Sequence, residues 1–218
     1  MTTIAELITE VRQRADMVSS AFVTDAEILR MLNRAWEFLY ETISKEGSAY
    51  INSASITTTD ADEYPLPADF WKILGADVVE SGRTVSLRAF NFKDRNRNSG
   101  GPSSTYPAYQ LRNNAIRLMP APSPGLSITV WFTPRPILFT AVSDVVDVPY
   151  FGEEFLAVSG AIECLAKEES DTNVLQVQKQ QLFVQIQNSL QRDTSGDASY
   201  VTDLNDDYSD LYTPRFRG

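Results

Sequence analysis

Apolar positions recur at helical spacing through the first 46 residues. In Thr3-Ile4-Ala5-Glu6 the Glu6 carboxylate can reach back to the Thr3 amide, which is the spacing of a capping box. Ile4, Leu7, Ile8 and Val11 come next at i, i+3, i+4 and i+7, so they share one face. A second box, Thr24-Asp25-Ala26-Glu27, opens a longer run in which Val23 can staple onto Ile28 across the cap. Its apolar stripe is Ile28, Leu32, Ala35, Trp36, Leu39 and Ile43, and Gly47 supplies a left-handed stop. Two helices are predicted here.

From about residue 50 to residue 133 the period falls to two. Strands are predicted over 53–59, 73–80, 84–90, 108–112, 115–119 and 127–133. Turn-forming stretches separate them at 60–63, Ser81-Gly82, Asn113-Asn114 and 120–125. Short strands joined by such turns imply a small antiparallel sheet or sandwich, not a parallel one. Within this region 95–104 (RNRNSGGPSS) carries no apolar residue and reads as a flexible loop, extending over 91–105. The stretch 134–149 is a less polar connection.

Helical spacing returns over 151–169 and 173–192. Phe155, Ser159, Ile162 and Leu165/Ala166 would line one face of the first helix. Leu175, Leu182, Ile186 and Leu190 would line one face of the second, whose remaining surface is rich in glutamine. The expected fold is α+β. Helices from both chain ends (1–49 and 150–192) form one layer, and an antiparallel β module (50–149) is inserted between them. The last stretch, 193–218, has neither period. It holds six aspartates, yet Tyr200, Tyr208, Tyr212 and Phe216 are spaced through it. Its composition resists folding alone, while its rings ask to be covered by a partner.

Length and composition then narrow the function. At 218 residues, 43% apolar and 22% charged, the chain can build one full core with room for a small appended layer. No stretch nears the roughly 18 apolar residues of a membrane span, and no basic region precedes an apolar run at the start. A single cysteine, Cys164, excludes an internal disulfide framework and any multi-thiolate metal site. The chain has no histidine. That absence removes Ser-His-Asp and Cys-His catalysis, His-ligated zinc and imidazole acid–base work.

Adjacent carboxylates stand at Glu153/Glu154, Glu168/Glu169 and Asp206/Asp207. Helical neighbours point about 100° apart, so the first two pairs cannot address one substrate atom, and Glu153/Glu154 suits a helix N-terminus. The 203–207 segment lacks the glycine and glutamate of a calcium loop, and Gly100-Gly101-Pro102 lacks the Lys-Ser/Thr of a phosphate loop. No catalytic residue, metal site or cofactor is expected. One basic cluster remains, Arg83, Arg88, Lys93, Arg95 and Arg97, with Phe90 and Phe92 interleaved. Cations among rings are the footprint of single-strand binding. On a chain of net charge −10 the same cluster reads more readily as a solvated loop or one meeting an acidic partner.

The order of pieces carries a resemblance. A capped helix pair with Trp36 and Tyr40 is succeeded by Tyr64-Pro65-Leu66-Pro67-Ala68-Asp69-Phe70-Trp71-Lys72, which opens the β region. Asp147-Val148-Pro149-Tyr150-Phe151 then leads into a helix with Ala161 and Ala166, and an irregular tail ends the chain. This resembles the head–tail adaptor (head-completion, tail accessory factor) proteins of tailed bacteriophages, the short-tailed type in particular, over roughly residues 3–192. The resemblance implies a structural virion protein and no enzyme. It implies a ring, typically of twelve subunits, beneath the portal protein, extending the DNA channel without sequence-specific binding and meeting a tail or nozzle protein. It places the chain at the head–tail junction after assembly in the host cytoplasm. It further implies that the tail docks on the portal, here through Tyr200, Leu204, Tyr208, Leu211, Tyr212 and Phe216. In such a ring the basic loop would face DNA or a partner. A nucleic-acid-binding module using 83–97 is the alternative, and a cell-wall-degrading enzyme a third.

Overall fold

The computed structural model describes residues 2–18, 21–46, 50–59, 61–80, 82–90, 108–119, 121–149 and 151–194. The stop expected at Gly47 and the loop expected over 91–105 lie outside the described residues. Both capping boxes form. The Thr3 and Thr24 hydroxyls accept from the amides of Glu6 and Glu27, and each glutamate accepts from the threonine amide in return. They open α1 (Ile4–Arg14) and α2 (Asp25–Glu46). The stripes predicted for both helices are buried, as are Val23 and Ile28 on either side of the second cap.

Two helices come after the β region, α3 (Gly152–Lys167) and α4 (Asn173–Thr194). Helices α1, α2 and α4 all pack on α3. The one-sided face predicted for α3 is therefore corrected. Every residue from Phe155 to Ala161 is buried, because α3 is the central rod, whereas Ala166 is exposed. Gly160 permits that closeness, since a Cβ there would lie 2.9 Å from Val11 Cγ2. The start of α3 is tighter still. Phe151 sits at φ 61°, and a Cβ on Gly152 would fall 2.0 Å from Val148 Cγ1. On α4 the predicted face holds, with Leu182, Ile186 and Leu190 buried and Leu175 packed partly against them.

The β region is a sandwich of two four-stranded sheets with its own core. One sheet has the order β2 (Asn52–Thr57), β9 (Ser127–Pro134), β4 (Phe70–Glu80), β5 (Arg83–Ser86). The other runs β3 (Glu63–Pro65), β8 (Ala115–Met119), β7 (Ala108–Arg112), β6 (Arg88–Ala89). Alternate residues of the inner faces meet between them: Ala76, Val78, Ile128, Val130 and Phe132 against Tyr64, Leu87, Ile116 and Leu118. Among the described residues all strand pairings are antiparallel except β6 with β7.

Several predicted strands shift. The strand expected over 84–90 is two strands in different sheets, split at Leu87, whose amide still bonds Ala76 O while its side chain is buried in the core. The strand expected from residue 73 starts at Phe70, and Glu63, expected in a turn, belongs to β3. The Asn113-Asn114 turn holds both residues at positive φ (48° and 60°), as a two-residue hairpin with native twist requires. The 64–72 stretch forms a structural corner at the entry to the sandwich. The Tyr64 hydroxyl donates to Ala61 O at 2.7 Å, Leu66 is buried, and the Phe70 ring lies 5.6 Å from that of Phe132.

Candidate assembly surfaces

The connection over 134–149 is more than a linker. It lies as a strap along α2, fastened by side chains at i, i+3 and i+7 of that helix. Asn33 Nδ2 donates to Phe139 O, and Asn33 Oδ1 accepts from the Phe139 amide, both at 2.9 Å. Trp36 Nε1 donates to Ile137 O at 3.1 Å and the Tyr40 hydroxyl to Pro134 O at 2.8 Å. Farther along, Asp144 closes a turn by accepting from the amides of Thr140 and Ala141, which holds its carboxyl below the usual range. The strap then pairs as β10 (Val145–Val146) with β1 (Thr2–Thr3) at the foot of α1.

Because much of the strap is held by its backbone, part of its side-chain row faces outward, while Val146 is buried and Phe139 and Val148 pack against the helical core. Ile137 is 88% exposed, and Leu138, Val142 and Val145 are exposed too. Between strap, α2 and sandwich runs a groove of about 530 Å3. Trp36, Tyr40, Tyr50 and Phe139 line it, with Asp69, Asp144, Asp147 and Arg135 also bordering it. The rings support one another: Tyr40 stacks on Tyr50 at 4.5 Å and lies edge-on to Trp36 at 5.3 Å. A bulge in β4 between Phe70 and Lys72 turns Trp71 out of the ladder, to 5.7 Å from Tyr40. The sequence showed Trp36 in an apolar stripe, and Tyr40 only beside it in the capped helix pair. Their polar atoms, together with Asn33 on the same side, were the signal that this face grips a backbone.

The helical layer has a second apolar surface. Val174, Val177 and Val184 are exposed along α4, at 79%, 60% and 43%. On another side of α4 Phe38, half exposed, stacks on Phe155 and tilts against Phe183. Of the 22 residues of α4, only Lys179, Arg192 and Asp193 are charged. Lys179 lies 5.2 Å over the Phe155 ring, and burial lowers its pKa.

The structure separates the residues singled out from sequence. Arg83 and Arg88 are exposed on β5 and β6, which are edge strands of the two sheets, one above the other at the Leu87 crossing. Lys93, Arg95 and Arg97 lie outside the described residues, as do Tyr200, Leu204, Tyr208, Leu211, Tyr212 and Phe216 of the tail. Helix α4 extends through Thr194, two residues into the stretch expected to be tail.

The paired glutamates are tied into the scaffold. Glu153 accepts from the Thr2 hydroxyl at 2.6 Å, and Glu154 from Arg14 and Gln178. They stand in the first turn of α3, where negative charge complements the dipole. Glu168 and Glu169 are exposed past its end. Cys164 is buried with its Sγ 3.8 Å from Met31 Sδ, and burial pushes its thiol pKa up, so it is a packing residue. Among the described residues no group of three His, Cys, Asp or Glu could hold a metal ion, and no helix is long and apolar enough to cross a membrane.

A family model for the SU10 adaptor protein matches residues 2–205. The chain belongs to the SU10 adaptor protein family. No curated protein matches it. A member of this family is a structural phage adaptor and hence a virion component, in keeping with the resemblance carried by the capped helix pair, the 64–72 corner and the helical return. Surfaces for other virion proteins are then the chemistry to look for in this adaptor. The strap and the α4 face are two described places where apolar side chains lie outside the cores; Trp71, Leu74, Val79, Val85 and Trp131 of the sandwich are exposed as well.

Proposed function

We propose that this chain is the repeating subunit of an adaptor ring that joins the phage portal to the tail and prolongs the DNA channel. The observation that carries the reading is the α4 face. On a chain of net charge −10, it offers exposed valines and neutral amides with a single lysine in its first four turns. Like-charged copies repel wherever carboxylates meet, so a nearly uncharged apolar face is where neighbours can approach. Amides there can hydrogen-bond across the seam without burying charge.

In this reading, subunits stand side by side through the helical layer, twelve to a ring. The sandwich projects, and its Arg83/Arg88 edge faces the channel or a tail partner. The tail, through Tyr200, Leu204, Tyr208, Leu211, Tyr212 and Phe216, docks on the portal as an extended arm whose rings fill pockets. Mixing the chain with its phage's portal and imaging by electron microscopy should give twelvefold rings. Deleting 195–218 should abolish capture by the portal in a pull-down while the circular dichroism spectrum is kept. Undiminished capture would remove the docking arm from the reading.

The exposed Arg83 and Arg88 favour one other reading, a nucleic-acid-binding module. Tight binding of single-stranded DNA by the isolated monomer at physiological salt would select it.

A further inference from the structure

We infer that in the free subunit the basic, aromatic end of the tail, residues 212–218, occupies that subunit's own groove between strap, α2 and sandwich. The groove pairs a wall of rings (Trp36, Tyr40, Tyr50) with three carboxylates, Asp69, Asp144 and Asp147, against a single cation, Arg135. The Arg135 Nε is engaged with Phe70 O. Such a site selects a short peptide carrying both an apolar ring and positive charge.

The chain itself supplies one. Tyr212-Thr213-Pro214-Arg215-Phe216-Arg217-Gly218 has two arginines flanking a phenylalanine and no acidic side chain, whereas 193–210 holds six aspartates. The sign of charge thus reverses at the end of the tail, to the one that complements the groove. The volume of about 530 Å3 suits an aromatic side chain with its flanking groups.

Reach is no obstacle. Helix α4 returns along α3, with the Phe183 ring 6.3 Å from that of Phe155 near the start of α3. It therefore leaves the bundle at the end where Asp147 leads into α3. The intervening residues 195–211 can extend to about 55 Å. The contact covers the rings of the tail's end before assembly, and the portal must compete with the groove to capture them.

Disulfide trapping tests this cleanly because the only native thiol, Cys164, is buried. The full chain carrying Leu138→Cys, at a groove-lining position that leaves all three carboxylates in place, and Gly218→Cys should close an intramolecular disulfide in mild oxidant. Its yield should be about tenfold above the pair Ser55→Cys and Gly218→Cys, whose first thiol sits on the outer face of the sandwich, since docking raises the local concentration at one site only. Adding Arg215→Glu and Arg217→Glu should bring the first yield down to the second. Equal yields for the two pairs, indifference to the charge reversal, or a covalent dimer as the main product would each overturn the proposal. Portal capture by the full chain is a separate readout, so failure of this contact is distinguishable from failure of the docking arm.

Discussion

The helical layer buries about twice as many apolar side chains as the sandwich, and the two reach their cores by opposite routes. In the helical layer the instructions are local. A threonine and a glutamate three residues apart start each of the first two helices, and the stripe beyond each cap is buried as spaced. In the sandwich the instructions are remote. Strand β4 pairs with β9 from 48 to 64 positions away, and β2 reaches β9 from still farther. One half declares its elements before it folds; the other acquires strand limits only when partners arrive. The strap belongs to both, leaving the sandwich as β9 and fastening itself to α2 by hydrogen bonds.

Two large truncations weigh the halves against each other. Phe155→Ala, at the centre of the helical core, should cost about 3–5 kcal/mol in chemical denaturation, and Phe132→Ala in the sandwich about the same. The two residues sit in different cores, so the double variant should lose the sum to within about 0.5 kcal/mol. A coupling well beyond that would mean the two cores behave as one.

Next comes the fastening between them. Asn33→Ala leaves the Phe139 amide and carbonyl without their side-chain partner, and should cost about 1–3 kcal/mol. Limited proteolysis should then cut within 135–149 before it cuts any strand of the sandwich.

Local capping predicts a smaller effect. Thr24→Ala should cost about 1 kcal/mol, and Thr24→Ser should restore most of it.

The smallest effect is a pH dependence confined to the helical half. The Lys167 ammonium, with help from the Thr24 amide and hydroxyl, lowers the Glu27 carboxyl from 4.5 to about 2. A depressed carboxylate stabilises the fold fully above its unfolded pKa and loses that contribution as pH falls through the folded one. Stability should therefore decline between pH 4.5 and about 2, and Lys167→Met should flatten that decline. An unchanged profile in Lys167→Met would assign the decline to other carboxylates.

Legibility in the sequence divides the same way. The α+β class, four helices and most strand cores could be read, because caps and periodicity act over a few residues. Three things could not. The full burial of α3 was hidden, since a central rod receives neighbours on every side and loses its stripe. The break at Leu87 was hidden because Thr84, Val85, Ser86 and Leu87 alternate like one strand, and only pairing with β7 draws Arg88 and Ala89 into the second sheet. The groove was hidden because it is assembled from α2, the 64–72 corner and the strap, which are far apart in the chain.

The way the strap is held has a consequence for how such an adaptor can change. Asn33, Trp36 and Tyr40 grip main-chain atoms, which every residue type possesses, so the identities of Ile137, Leu138 and Val142 are not dictated by folding. Mutation can rewrite that outward stretch, apolar to charged or large to small, while its path over α2 stays the same. A protein built this way can track a drifting partner one substitution at a time.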